Sequence, residues 1–342
     1  MARTAQAIAD PPDPPPAEPR PQPVGEGPGE WFYADLGPIY VSNFDADSII
    51  MCPHDYSYAR DDSLDAQWRT GYDTRLCWKT CLIYKQISTA HRRLVPFIRP
   101  DAWTGFPILA RSSGPPLKQF LAEHKSELYP QALVQSAACR VVDRCRPLVY
   151  QWALHALSAL AFMHSHDVVC GDFSEDLCLL SALPSLSLSV VGFPFAGYRR
   201  LDHGGRYYEA EFYGGDAFSE TGLGPKQGRC RPFPTRQFDL YQWACMVFRL
   251  MTSYFPGDRM GLNETEIGSL VSQKAWPVLE PEFMGDIIRK SWNGDYNSAE
   301  EIKRALISLV EEQGWSVNDG DDLQGFDATG LFQGSSEVLG FR

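Results

Sequence analysis

Three carboxylates follow one short apolar run and lie where they could take part in chemistry. The run is residues 168–170; Asp172 stands just after it, and Glu175 and Asp176 come within the next four residues. A carboxylate held on such a loop can accept a proton from a hydroxyl group. Neighbouring carboxylates can also bind a divalent cation, although charges on a loop are more often simply solvated.

Helices and strands that would position this loop are predicted from the spacing of apolar residues. A helix is predicted after Pro147, because proline suits a first helical turn, and a second over residues 238–252. Apolar runs at 177–183 and 186–193 indicate a hairpin. The remaining predictions are helices at 74–88, 117–123, 282–292 and 298–312, strands at 48–52, 94–98 and 106–110, and a loop at 54–70.

The order of these elements predicts an α+β fold with a small strand-rich part followed by a larger, mostly helical part. Residues 1–30 hold nine prolines and almost no large apolar side chains, so a disordered tail is expected there. The two main parts are predicted at 31–110 and 111–312. Residues 313–342 are acidic and glycine-rich and are expected to form a loose tail.

Composition narrows the classes of function. The formal net charge is −12, which argues against nucleic-acid binding, since that would need a basic surface. Apolar runs are too short for membrane insertion. The nine cysteines are scattered without a C-x-x-C pair, and the start of the chain lacks an apolar signal segment. These features predict an intracellular, cytoplasmic protein with reduced thiols.

Four local patterns resemble a known family. They are ALAFMHSHDVVCGD at 159–172, LSVVGFPFA at 188–196, RQFDLYQWAC at 236–245, and IIRKSW followed by YNSAEE at 287–301. They resemble the catalytic loop, the D-F-G strand, the buried S-D-[IV]-[YW] helix and a late helical segment of the eukaryotic protein kinase-like superfamily. The chain is most similar to degenerate, fungal-type kinase-like proteins, which implies a bilobal fold with a β-rich N-lobe and a helical C-lobe.

The resemblance implies roles for several residues. Asp172 takes the place of the catalytic-loop aspartate, with Cys170 where the family has histidine. Asp239 is expected to bind the backbone of that loop, and Phe193 to be a core aromatic. Ile108, Leu109 and Ala110 resemble the hinge whose backbone can bind an adenine.

Other positions depart from the family's pattern. Met51 stands in place of the phosphate-binding lysine, and no glycine-rich loop precedes it. Leu177 and Gly192 replace the two metal ligands, so no metal site is predicted; Asp176 is a weak substitute. Lys79 would be a candidate lysine only if its segment were a strand rather than a helix.

These departures favour a pseudokinase, a regulatory or protein-binding module with little or no phosphotransfer. It is expected to bind a protein partner, and to bind ATP, if at all, without magnesium. One alternative is a divergent active protein kinase that uses Asp172 to transfer phosphate from ATP to a protein hydroxyl. A second is a scaffold that works without ATP.

Overall fold

An antiparallel sheet and one long helix form the N-terminal part. The computed structural model describes residues 32–36, 39–53, 64–129, 140–199, 207–208, 216–218, 225–227, 235–254, 266, 269–270, 272–277 and 279–332. The sheet strands are β1 Phe32–Asp35, β2 Ile39–Asn43, β3 Ser48–Pro53, β4 Phe97–Pro100 and β5 Pro107–Ala110. Their order is β1-β2-β3-β5-β4, and each neighbouring pair is antiparallel.

The helix α1, Leu64–Ile87, connects β3 to β4 and packs against β3 and β5. Its buried apolar residues follow helical spacing and include Leu76, Ile83 and Ile87, which confirms the predicted helix. The helix begins earlier than predicted, so the expected loop at 54–70 is wrong from Leu64 onward. That stretch is polar, but it lacks proline and contains good helix formers. Residues 54–63 lie outside the described part of the chain.

The C-terminal part is mostly helical. Its helices are α2 Leu117–Glu123, α3 Lys125–Leu128, α4 Arg146–Ser165, α5 Arg236–Thr252, α6 Gly285–Asn293 and α7 Ala299–Glu312. Helix α4 is buried on nearly all sides and packs against α5 and α7. Side chains cap two helices: Thr235 accepts a hydrogen bond from Phe238 N, and Ser298 accepts one from Glu301 N. The predicted α+β architecture is therefore confirmed.

Short strands complete the C-terminal part. They are β6 Val168–Val169, β7 Cys178–Leu180, β8 Leu188–Val190, β9 Gly197–Arg199, β10 Tyr207–Tyr208, β11 Asp216–Phe218, β12 Pro225–Gln227, β13 Val317–Asn318 and β14 Asp322–Leu323. Strands β7 and β8 form the predicted hairpin. The strand predicted at 94–98 is shifted to 97–100, because Leu94 forms a bridge with Val190 instead.

Residues 313–332 are not the loose tail that their composition suggests. Strands β13 and β14 pair with each other, and Asp321 and Ala328 are completely buried. The expectation of a loose tail is wrong for these residues because their carboxylates pair with arginines far away in the sequence. Residues 333–342, like the predicted tail at 1–30, lie outside the described residues.

The described helices are too short or too polar to span a membrane. None of them combines the length and the apolar character needed to cross a bilayer.

Candidate functional site

The loop that carries Asp172 is held by one buried carboxylate. Asp239, in the first turn of α5, has no exposed surface. Its Oδ2 accepts hydrogen bonds from Cys170 N and from His164 Nε2, both at 2.8 Å. Its Oδ1 accepts one from Gly171 N at 2.8 Å. Asp239 thus contacts the backbone of the loop, and His164 is a partner that the sequence did not predict.

Asp172 itself is only partly buried, and α5 holds it as well. Gln242 Nε2 donates to Asp172 Oδ1 at 3.1 Å, and Gln242 Oε1 accepts from Phe173 N at 2.9 Å. One amide side chain thus fixes two consecutive residues of the loop. The carboxylate can still accept a proton at this place, but part of its capacity is used by the amide.

The two carboxylates after Asp172 are neutralised by neighbouring cations. Glu175 is buried and pairs with Arg249 of α5. Asp176 pairs with Lys118 of α2 at 2.8 Å. Leu177, where the resemblance implies a metal ligand, is buried among apolar side chains. A divalent ion would have to displace an ammonium group to use Asp176, so these residues do not fit a metal centre.

Met51 and Gly192 fit each other closely. Met51 on β3 is completely buried, and a Cβ added at Gly192 would overlap its Cε and lie 2.8 Å from its Sδ. The φ of Gly192 is +67°, which is in the left-handed region that favours glycine. The resemblance implies a lysine and a metal-binding aspartate at these positions. In the structure an uncharged thioether instead packs against the bare backbone of Gly192.

Because Met51 packs against Gly192, substitutions at these two residues should affect stability in a coupled way. Gly192→Ala is expected to lower the free energy of unfolding by about 2–3 kcal/mol, because the new methyl group meets Met51 and also strains the backbone. Gly314→Ala is the matched control: its φ is +87° and nothing lies within 4 Å of the added Cβ, so it should cost only about 1 kcal/mol.

The same contact can be tested by a double-mutant cycle in urea. In a Met51→Ala background the methyl group of Gly192→Ala no longer meets the thioether, so its cost should fall by about 1 kcal/mol or more. An equal cost in both backgrounds would show that Met51 does not fill this space.

Helix α1 is fastened to the segment that contains Gly192 and Phe193. Phe193 N donates to Thr80 Oγ1 at 3.3 Å, and Gly192 N donates to the Tyr84 hydroxyl at 3.4 Å. The ring of Tyr84 lies 4.7 Å from that of Phe193 and is stacked at 5.3 Å on Phe97. Burial raises the pKa of Tyr84 well above its ordinary value, so its hydroxyl stays protonated. Phe193 is fully buried, and these aromatic contacts fix α1 against the sheet.

Lys79 has a buried amine that the sequence did not predict. It lies on α1, so the alternative in which its segment is a strand is wrong. Its Nζ is buried and has no hydrogen-bond partner within the part of the chain that the structure describes. Burial lowers its pKa from 10.5 to about 7, while the charge that Cys170 carries as a thiolate would act in the opposite direction. The signal available in the sequence was one lysine between Leu76 and Ile83 on the apolar face.

The hinge-like residues are part of the sheet. Ile108 and Leu109 are buried on β5, between β3 and β4. Ala110 N donates to Pro96 O at 2.9 Å, and Arg111 N donates to Asp47 O at 2.8 Å. These two donors are engaged inside the protein. An adenine contact by residues 108–110 stays a prediction, and it would have to use other backbone groups.

Comparison with known proteins gives little at the level of sequence. No family model matches the chain, and no curated protein matches it. Among the solved structures that match is a crystal structure of the Rad53 kinase domain and SCD2. The match covers 78% of this chain and 87% of that chain, with 12% sequence identity and a TM-score of 0.45.

Proposed function

We propose that this chain is a protein kinase-like pseudokinase, a regulatory or protein-binding module with little or no phosphotransfer. The observation that carries the proposal is the contact between Met51 and Gly192. Phosphoryl transfer depends on a fixed cation at the phosphates and on carboxylate or amide ligands that hold magnesium. Met51, Leu177 and Gly192 offer none of these groups.

The catalytic rate that the absent charged groups would contribute is large, which supports the same function. A single preorganised electrostatic group is often worth about 10²- to 10³-fold in rate. Several are absent together, and the nearest carboxylate, Asp176, is paired with Lys118. Asp172 alone can orient a hydroxyl group, but it cannot neutralise a triphosphate. We infer that the chain instead binds a protein partner, such as an active kinase or its substrate, within the cell.

A thermal melt with and without nucleotide tests the proposal. We expect magnesium to add no stabilisation beyond that given by ATP alone, because Glu175 and Asp176 are already paired with Arg249 and Lys118. A ligand that binds only the native state at a hundred times its Kd stabilises it by about 2.7 kcal/mol, which such a melt detects. A rise with ATP alone would indicate a nucleotide-binding pseudokinase, and no rise at all would indicate a scaffold that is independent of ATP.

A magnesium-dependent rise would instead favour the divergent active kinase. That outcome would be followed by transfer of labelled phosphate to a generic protein substrate, with Asp172→Asn as the variant. The matched control is Asp167→Asn, whose carboxylate pairs with Arg236 at 2.9 Å. Transfer that is lost in the first variant and kept in the second would overturn the pseudokinase proposal.

A further inference from the structure

A cluster of charges joins the end of the described chain to the loop after α1. Arg93 binds Asp321 in a two-pronged arrangement, with Nε to Oδ2 at 3.1 Å and Nη2 to Oδ1 at 2.8 Å. Its Nη2 also donates to Asp322 Oδ1 at 2.6 Å. Arg92 pairs with Asp319, Asp321 and Asp322. Asp321 is fully buried, so these arginines form a recognition site for adjacent carboxylates.

His155 of α4 is a further side chain in contact with these carboxylates. Its Nδ1 accepts a hydrogen bond from Leu188 N at 3.0 Å, so its other nitrogen carries the proton. That Nε2 donates to Asp322 Oδ1 at 2.9 Å. Arg92, Arg93 and His155 therefore all donate hydrogen bonds to these two carboxylates. Without residues 319–322 the surface would present the guanidinium groups of Arg92 and Arg93 with no counter-charge from that segment. This surface is therefore suited to bind an acidic segment.

A second contact lies further along the same segment. Ala328 N donates to Pro184 O at 2.9 Å. The ring of Phe332 then packs edge-on against Phe120 at 5.1 Å and lies tilted against His124 at 4.6 Å. Beside Phe332 an apolar cavity of about 170 Å³ remains between α2 and the β7–β8 loop, bounded by Leu183 among others. Phe332 thus does not fill its groove, which has room for a larger apolar group.

We propose that these two sites form one docking surface for a peptide segment, folded as a short hairpin like residues 317–323, that carries adjacent carboxylates followed by an apolar side chain. Residues 317–332 are its resident occupant, and a partner protein's segment of the same chemistry displaces them. The charge complementarity of Arg92 and Arg93, the segment already seated there, and the unfilled cavity all support this partner. The inference adds a partner surface to the proposed function, but it rests on these contacts and not on the loss of phosphotransfer.

The test measures binding of a fluorescent synthetic peptide of residues 315–334 to the full chain. In the unmodified protein the tethered segment competes at an effective concentration on the order of millimolar, so the peptide should bind weakly. A full chain carrying Asp321→Asn, Asp322→Asn and Phe332→Ala has a weakened resident segment and an intact surface. It should bind the peptide at least about tenfold more tightly, a gain of about 1.4 kcal/mol.

A peptide with the same three substitutions is the matched control, and it should lose at least about tenfold in affinity for the substituted chain. Equal binding of both peptides, or no gain for the substituted chain, would overturn the proposal. If that chain fails to fold, hydrogen exchange on the unmodified protein decides instead. The amides of Gln324 and Ala328 should exchange through local opening, whereas exchange only through global unfolding would contradict a displaceable segment. Neither readout depends on nucleotide, so its failure is distinguishable from failure of the proposed function.

Discussion

Replacing Asp239 with asparagine is expected to lower the free energy of unfolding by about 3–5 kcal/mol. The carboxylate is fully buried and accepts three hydrogen bonds, from Cys170 N, Gly171 N and His164 Nε2. Asparagine has nearly the same shape, but its NH₂ group would face an N–H donor that it cannot bind. One or more buried donors would then lose their partner, and each such loss costs about 1–3 kcal/mol.

Urea denaturation of the variant measures this cost. Asp286→Asn is the matched control, because Asp286 makes an exposed ion pair with Arg289 three residues along α6. Exposed pairs of this kind contribute about 0–1 kcal/mol. The amides of Cys170 and Gly171 should also exchange faster in the Asp239 variant. A cost no larger than that of the control would mean that Asp239 does not hold the loop.

Residues with local signals allowed much of the fold to be predicted. The apolar stripe after Pro147 marks α4, and the short helix at 117–123 was predicted with its observed bounds. In both, the residues that decide the structure are neighbours in the sequence. The start of α1 was missed because residues 64–70 carry no apolar periodicity, although their helix propensity is adequate.

The sequence predicted which charged residues the candidate site lacks better than it predicted which residues contact each other there. Met51 and Gly192 could each be recognised as departures from the family's pattern, but the fit between them depends on two residues 141 positions apart. The same limit explains the end of the chain. Asp321 and Asp322 look like solvated loop charges until Arg93, 228 and 229 residues earlier, is brought against them. A single sequence contains no local signal for such pairs.

Replacing Lys79 with methionine is expected to raise the free energy of unfolding at pH 7 by about 2–4 kcal/mol. The ammonium is buried, and its Nζ lacks a hydrogen-bond partner among the described residues. Burial lowers its pKa from 10.5 in the exposed state to about 7. The buried ammonium therefore lowers the free energy of unfolding at pH 7. Methionine has a similar length and no charge, and it removes that cost.

The pH dependence gives this prediction its sharpest form. Between pH 7 and 10.5 the unfolded chain binds a proton at Lys79 that the folded chain does not bind. Stability therefore rises with pH across this window, by up to about 1.4 kcal/mol per pH unit from this group, and the penalty is complete below pH 7. Urea denaturation from pH 6.5 to 10 should show this rise in the unmodified chain and a flatter profile in Lys79→Met.

Lys85 provides the matched control on the same helix, because it is exposed and its replacement by methionine should change stability by no more than about 0.5 kcal/mol. A loss of stability in Lys79→Met at pH 7 would contradict the expectation, since it would mean that the ammonium has an anionic partner. The sign of this single substitution therefore separates an amine that is merely buried from one that is paired with an anion.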